Sequence, residues 1–290
     1  MRDQASWIRR LHGLVTVAVI VGMGHAEAAL LFSDAFAYPA GSLAGNGGGT
    51  GWFAGSLWTG GTGGNGNLVT GSLPGVYGSA IQISSGAAVS TRPLAVTYVS
   101  GGSTSYYIAC VVNANPYQGG QGQYAGASVF LAADPTNNLL VGMPGDSGGL
   151  GFDWTNRGAP FQSATNNTNY LTLLGITQGS GTTTTVTMYV STDLTISGTA
   201  LAATTPWDSL PNESNFSFDS VSFAGGYTPG SIRIAALAMA DNPGEAVAFT
   251  QSVVVPEPHS LLAAASGVAA FALVRARRKD RTVKAATAAD

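Results

Sequence analysis

The 290-residue chain is 9% charged and 45% hydrophobic, and it carries 40 glycines. That apolar content excludes a disordered chain, and short apolar runs punctuated by Gly, Asn and Pro favour an all-β domain over a helical one. Between residues 30 and 255 stand three basic residues, Arg92, Arg157 and Arg233, against ten acidic ones and no Lys. This excludes a nucleic-acid binder, because neutralising phosphates needs clustered cations.

The chain opens on an address. Arg2, Arg9 and Arg10 precede a short apolar core at 14–23, and Ala26-Glu27-Ala28 has the small residues of an A-x-A cleavage site. The pattern predicts a secretory signal peptide over 1–28, cut at the Ala26/Ala28 site, with a core too short for a stable membrane span.

Residues 41–66 follow with twelve glycines. A flexible linker would not carry Trp52, Phe53, Leu57 and Trp58, so the segment reads as ordered, Gly-turned chain packed on the domain. Alternation and β-branched content then predict strands at 80–83, 94–99, 106–112, 127–131, 139–141, 150–154, 170–176, 184–190, 216–223 and 231–237. In "NFSFDSVSF" simple alternation puts Phe216 and Phe218 on one face, and Val221 and Phe223 on the other. That predicts a strand covered on both sides. No amphipathic helix and no internal repeat stand out, so one sandwich domain over 30–250 is expected.

Candidate chemistry in this body is sparse. "MPGDSGGLGF" at 143–152 spells the nucleophile loop of a trypsin-like protease. A Ser nucleophile needs a base, yet the histidines are His12, His25 and His259, and the lysines are Lys279 and Lys284, all outside the body. The string is therefore read as a Gly-rich turn. A glycosidase needs two positioned carboxyls, and both Glu213 and Glu245 read as loop residues. Asp134-Pro135-Thr136-Asn137-Asn138 and Asp241-Asn242 could offer calcium oxygens, but they read first as turn residues. No catalytic residue, metal ligand or cofactor is assigned, and calcium stays a minor alternative. Cys110, the lone cysteine, reads as a small buried hydrophobe. Trp52, Trp58, Trp154 and Trp207 are the candidates for stacking on sugar faces, with core packing the competing reading.

The chain closes on a second address. Val255-Pro256-Glu257-Pro258 precedes an uncharged stretch at 261–274, then Arg275, Arg277, Arg278 and Lys279. As a helix the stretch spans roughly 21 Å, short of the ~30 Å hydrocarbon core. The basic cluster would stay cytoplasmic and halt export. In this order the three parts resemble the PEP-CTERM sorting signal of Gram-negative bacteria, covering 254–281. The resemblance implies transient anchoring in the inner membrane, and recognition of Pro256-Glu257-Pro258 by an exosortase, a membrane protease that removes helix and tail. It also implies delivery to the cell surface or an exopolysaccharide matrix. A permanent tail anchor is the alternative.

"DAFAYPAGSLAGNGGGTGW", "VTMYVSTDLTISG" and "FSFDSVSFAGGYTPGSIRIAALAMAD" resemble stretches of LamG-like or concanavalin-like jelly-roll domains. That resemblance implies a single jelly-roll β-sandwich. Three functions are open for it: a non-catalytic structural or adhesive module, a lectin-like exopolysaccharide-binding module and, weakest, a glycosidase or polysaccharide lyase.

Overall fold

The computed structural model describes residues 29–60, 67–84, 89–114, 125–131, 134–143, 149–154, 162–163, 165, 167–181, 183–225 and 231–255. Its strands form two antiparallel sheets. The nine-stranded sheet runs β13 (Asp208–Glu213), β12 (Thr184–Ser191), β11 (Asn169–Gln178), β6 (Tyr106–Ala114), β15 (Ser231–Ala240), β4 (Ala80–Ser84), β3 (Leu68–Thr70), β2 (Gly41–Ser42), with β1 (Leu30–Asp34) also pairing with β15. The six-stranded sheet runs β10 (Gln162–Ser163), β9 (Gly149–Trp154), β8 (Asp134–Met143), β7 (Ala125–Leu131), β14 (Ser217–Gly225), β5 (Ser90–Val99). A late strand returns between earlier ones in each sheet, β15 between β4 and β6 and β14 between β5 and β7. Such returns are Greek-key connections, and the chain is an antiparallel β-sandwich.

All ten predicted strands are present, most of them longer than predicted. Two readings of sequence are corrected by β-bulges. Asp219 is an extra residue in β14, because Phe218 pairs with Leu131 while Ser220 pairs with Phe130. The bulge flips the alternation, so Phe216, Phe218, Val221 and Phe223 all enter one core. The strand is not apolar on two faces, as simple alternation predicts. Likewise Ala236 is extra in β15, where Ala235 pairs with Val111 and Leu237 with Cys110. Ala236 takes φ 51°, the left-handed conformation such bulges use. Ile232 and Ile234 before it, and Leu237 and Met239 after it, therefore share the inner face. A third correction concerns Asp134–Asn138, expected as a turn: these residues begin β8.

Two short helices, missed in the sequence, cover the outer face of the nine-stranded sheet. Helix α1 (Gly198–Ala202) is capped by Ser197, whose Oγ accepts from Ala200 N at 3.2 Å. Helix α2 (Pro243–Val254) begins at Asn242, whose Oδ1 accepts from Glu245 N at 3.0 Å, with Pro243 in the first turn where its missing N–H costs nothing. Leu201, Ala246, Val247 and Val254 bury against Ala109, Val111, Leu171, Leu173 and Ala235 of the sheet, making a second core. The two glutamates expected in loops thus lie elsewhere: Glu213 ends β13, and Glu245 sits in the first turn of α2. Helix α2 ends at Val254, and Val255 is extended at φ −111° and ψ 124°. That is the conformation imposed on a residue preceding a proline, here Pro256. No helix among the described residues is long and apolar enough to cross a membrane. The apolar stretch at 261–274 lies outside them, as does the Gly-Asp-Ser-Gly string at 145–148.

Candidate functional site

Residues 41–60 of the glycine-rich segment form an ordered cover on the edge of β5. Phe53 N donates to Pro93 O at 3.1 Å, Ala95 N to Gly51 O at 2.9 Å, and Thr59 N to Thr91 O at 2.9 Å. The outward backbone groups of an edge strand are thereby satisfied within the chain, which blunts edge-to-edge association. Two glycines are required by geometry. Gly49 and Gly51 have φ 71° and 76°, and a Cβ on either would lie within 1.7–2.0 Å of a β1 carbonyl oxygen. Between them Thr50 exchanges backbone hydrogen bonds with Ser33 at 3.0 and 3.1 Å.

Beneath the loop lies a buried ion pair, Arg92 Nη1 to Asp34 Oδ2 at 3.3 Å. The Asp34 carboxylate also accepts from Phe36 N at 2.8 Å, from Trp58 Nε1 at 3.2 Å and from the Tyr38 hydroxyl. Arg92 donates further to Gly48 O at 2.7 Å and Ser56 Oγ at 3.3 Å, and its guanidinium lies 4.5 Å over the Trp52 ring. Burial pushes the Asp34 carboxyl above its ordinary range, while Tyr38, the Phe36 amide, Trp58 and Arg92 pull it back. Burial and the Asp34 charge raise the Tyr38 phenol well above its usual value. The hydrogen bonds of Arg92 and Asp34 reach Phe36, Tyr38, Gly48, Ser56 and Trp58, and so fasten the loop to β1 and β5.

The cluster settles the indoles. Trp52 is 8% exposed and Trp58 1%, both in an aromatic column with ring centroids 5.3 Å apart, and Trp58 continues to Phe223 at 4.9 Å. Neither ring is a platform for a sugar, which corrects that candidacy. Trp207 is half-buried with its ring edge-on to Tyr170. Trp154 stands in β9, with its side chain outside what is described. The residues that do face solvent are Phe53, 60% exposed, and Leu57, 51%, at the two ends of a turn closed by Ser56 N to Phe53 O at 2.9 Å. Tyr77, at 58%, is the other exposed aromatic among the described residues. Sequence reasoning chose the larger ring of the Trp52-Phe53 pair, and pairing with β5 turned that ring inward. It also missed Asp34 and Arg92, which are 58 residues apart. The signal available was rarity, since Arg92 is one of three cations in the body.

Cys110 is buried, as expected, and burial pushes its thiol up to about 11, which keeps it inert. No group of three or more His, Cys, Asp and Glu that could hold a metal occurs among the described residues. Val255 caps α2, but Ala26, Ala28, Pro256, Glu257, Pro258, Arg275, Arg277, Arg278 and Lys279 lie outside the described residues.

No protein-family model matches the chain. No curated protein matches it either. Solved structures resemble it distantly. The binding domain of botulinum neurotoxin serotype G is 12% identical with a TM-score of 0.44, over 78% of this chain and 50% of that one. The alginate lyase Aly36B is 13% identical with a TM-score of 0.41, over 74% and 97%. An endo-β-1,4-glucuronan lyase from the fungus Trichoderma reesei is 12% identical with a TM-score of 0.43, over 73% and 95%. The chain spans half the length of the neurotoxin domain it matches.

Proposed function

We propose that this chain is an exported surface or matrix protein, and that its body is a non-catalytic structural or adhesive sandwich of the concanavalin or LamG kind. Its C-terminal signal would be cut by an exosortase. The observation that carries the reading is the conjunction of two addresses: Arg-flanked apolar core with Ala26/Ala28 at one end, and Pro256-Glu257-Pro258, apolar stretch and Arg275–Lys279 cluster at the other. Peptide mass mapping of the mature protein recovered from cells tests the proposal. Peptides from 261–279 should be missing. Their recovery would sink exosortase processing and leave a tail anchor.

A second reading, a lectin-like module, is favoured by Phe53. The ring is exposed on a turn whose backbone is pinned to β5, a rigid aromatic of the kind that stacks on a sugar face. Phe53→Ala should weaken binding to neutral glycans at least tenfold if the reading holds. An unchanged glycan-array profile removes it.

A further inference from the structure

Charge and exposed apolar surface are partitioned along this chain. Between Asp34 and Asp134 stands one charged residue, Arg92, and it is buried against Asp34. The remaining acids of the body all lie from Asp134 onward. The large hydrophobics that face solvent among the described residues fall wholly within the uncharged stretch, between Phe53 and Val99. Most of them gather on one edge. Val96 and Val99 stand on β5, Val89 directly precedes it, and Phe53 and Leu57 lie in the turn hydrogen-bonded to it. Single exposed apolar residues are ordinary, but a row of them along one strand is a patch.

The fold holds this patch out. Pro93 pairs with Ser220 and Tyr98 with Phe218, so the β5 residues from Leu94 to Thr97 oppose Asp219 alone. Val96 belongs to that bulge. Alternation with Leu94 and Tyr98 would send it into the core, and the bulge turns it to solvent instead. Leu57 is seated on Gly47, where a Cβ would lie 2.8 Å from its Cδ2. Phe53 is fixed by the bond from its N–H to Pro93 O. The ten residues of β5 span ~33 Å, and the pinned turn widens the seam beyond the strand. That is the scale of a standard interface, about 800 Å² per partner.

Chemistry selects the occupant. The seam is one ring among four aliphatic side chains, which suits packing against more side chains better than stacking on sugars. It has no exposed cation to meet a phosphate headgroup. A second copy of the chain brings the same seam, self-complementary about a two-fold axis. Charge excludes other orientations, because a body with three cations and ten acids repels its like wherever the acids meet. In the six-stranded sheet β5 is one edge, and Asp134 and Asp153 stand on β8 and β9 toward the other. Half-buried Asp219, bound by Ser220 Oγ at 3.2 Å, is the carboxylate that the β5 register places nearest, and it falls at the rim. We propose that the uncharged β5 edge is a homodimer interface, in which Phe53, Leu57, Val89, Val96 and Val99 of two copies pack together. Backbone groups on this edge are already satisfied by residues 51–59, so the copies meet through side chains and the sheet is not continued across them. Only the use of such pairing, a matrix built from paired copies, rests on the exported reading.

The test is sedimentation equilibrium of the protein as recovered from cells, whichever C-terminus it carries. Expected is a dimer whose affinity holds or rises with salt, since screening relieves repulsion between acids and no ion pair crosses the seam. Phe53→Asp and Val96→Asp should each weaken it at least tenfold and melt within a degree or two of the parent. Tyr77→Asp, at an equally exposed aromatic bonded through its backbone to α2, should leave it unchanged. A monomer at every concentration overturns the proposal. So does a dimer that survives both seam variants, or one that Tyr77→Asp disrupts equally. Glycan binding by a monomer, lost in Phe53→Ala, would give the seam to a sugar and overturn it as well. None of these outcomes bears on C-terminal processing, which the mass map reads separately.

Discussion

The two faces of the nine-stranded sheet come from the same strands and solve different problems. The inner face meets another sheet, and stacked sheets lie ~10 Å apart. Large side chains fill that gap: Phe32, Ile81, Ile108, Ile234 and Met239 from one side, and Phe218, Val221 and Phe223 from the other. The outer face meets helices and a short loop, and there the sheet shows Ala80, Ala109, Ala235, Ala236 and Ala240. Small residues bring the helix backbones close. The tightest point is Gly198 of α1, where a Cβ would sit 1.9 Å from Pro243 O at the start of α2. The faces also differ in how they treat charge. The inner side neutralises Arg92 with Asp34, while the outer side leaves Arg233 without an ionic partner among the described residues.

The comparison breaks most severely at the inner ion pair. Asp34→Ala would strand a buried guanidinium, the Trp58 indole N–H and the Tyr38 hydroxyl at once. Removing one member of a buried pair costs about 3–5 kcal/mol. Urea unfolding should show that loss, together with faster proteolysis within 41–60 as the loop loses its anchor. Replacing Asp34 and Arg92 together with apolar residues should cost less than the sum of the single changes, because no charge is then left behind.

Two consecutive residues of β15 sharpen the contrast between faces. Ile234 is fully buried in the inner core, and Ile234→Ala should cost about 2–4 kcal/mol by leaving a cavity between sheets. Ala235, its neighbour, is buried under the helices. Ala235→Leu should cost about 1–3 kcal/mol by overpacking. The reciprocal swap cannot rescue either, since the two side chains point to opposite faces. If Ala235→Leu proves neutral, the outer helices are adjustable rather than docked, and chemical denaturation of the two variants would show it.

The sheet was legible where alternation ran unbroken. "TTVTMYV" declares β12 because every second residue meets the inner core, and the unbroken apolar run "YYIACVVN" declares β6 because both of its faces meet a core. It was illegible where geometry, not composition, decides. Bulges at Asp219 and Ala236 move one residue out of pairing and reverse the faces, yet neither position carries the glycine that would announce it. Strand β13 contains Pro211, which reads as loop, and Pro is tolerated there because the strand lies at the sheet edge. Helix α2 did carry a readable start, Asn242-Pro243 with Glu245 following, overshadowed by the Val-rich run before Pro256. The cross-strand alignment of Asn169, Asn113, Arg233 and Gln82 over β11, β6, β15 and β4 could not be read at all. Gln82, Asn113, Asn169 and Arg233 are ordinary strand residues until register aligns them.

A last contrast between inside and edge concerns Asp208, at the start of edge strand β13. Its Oδ1 accepts from Ser209 N at 2.8 Å, but Oδ2 is buried without a hydrogen-bond partner. Burial pushes this carboxyl above its ordinary range, only partly offset by the Ser209 amide. A raised folded-state pKa means that the native chain holds the proton more tightly than the unfolded one. The contribution of Asp208 is therefore most favourable below the ordinary carboxylate pKa, and is lost as pH rises through the folded value. Asp208→Asn keeps the acceptor for Ser209 and removes the charge. The melting temperature of the variant relative to the parent should thus be higher at pH 7 than at pH 4, by a small margin suited to a partly solvated edge. A difference that is flat with pH would mean that water reaches Oδ2, and that the edge of the sheet, unlike its inner face, keeps its charges wet.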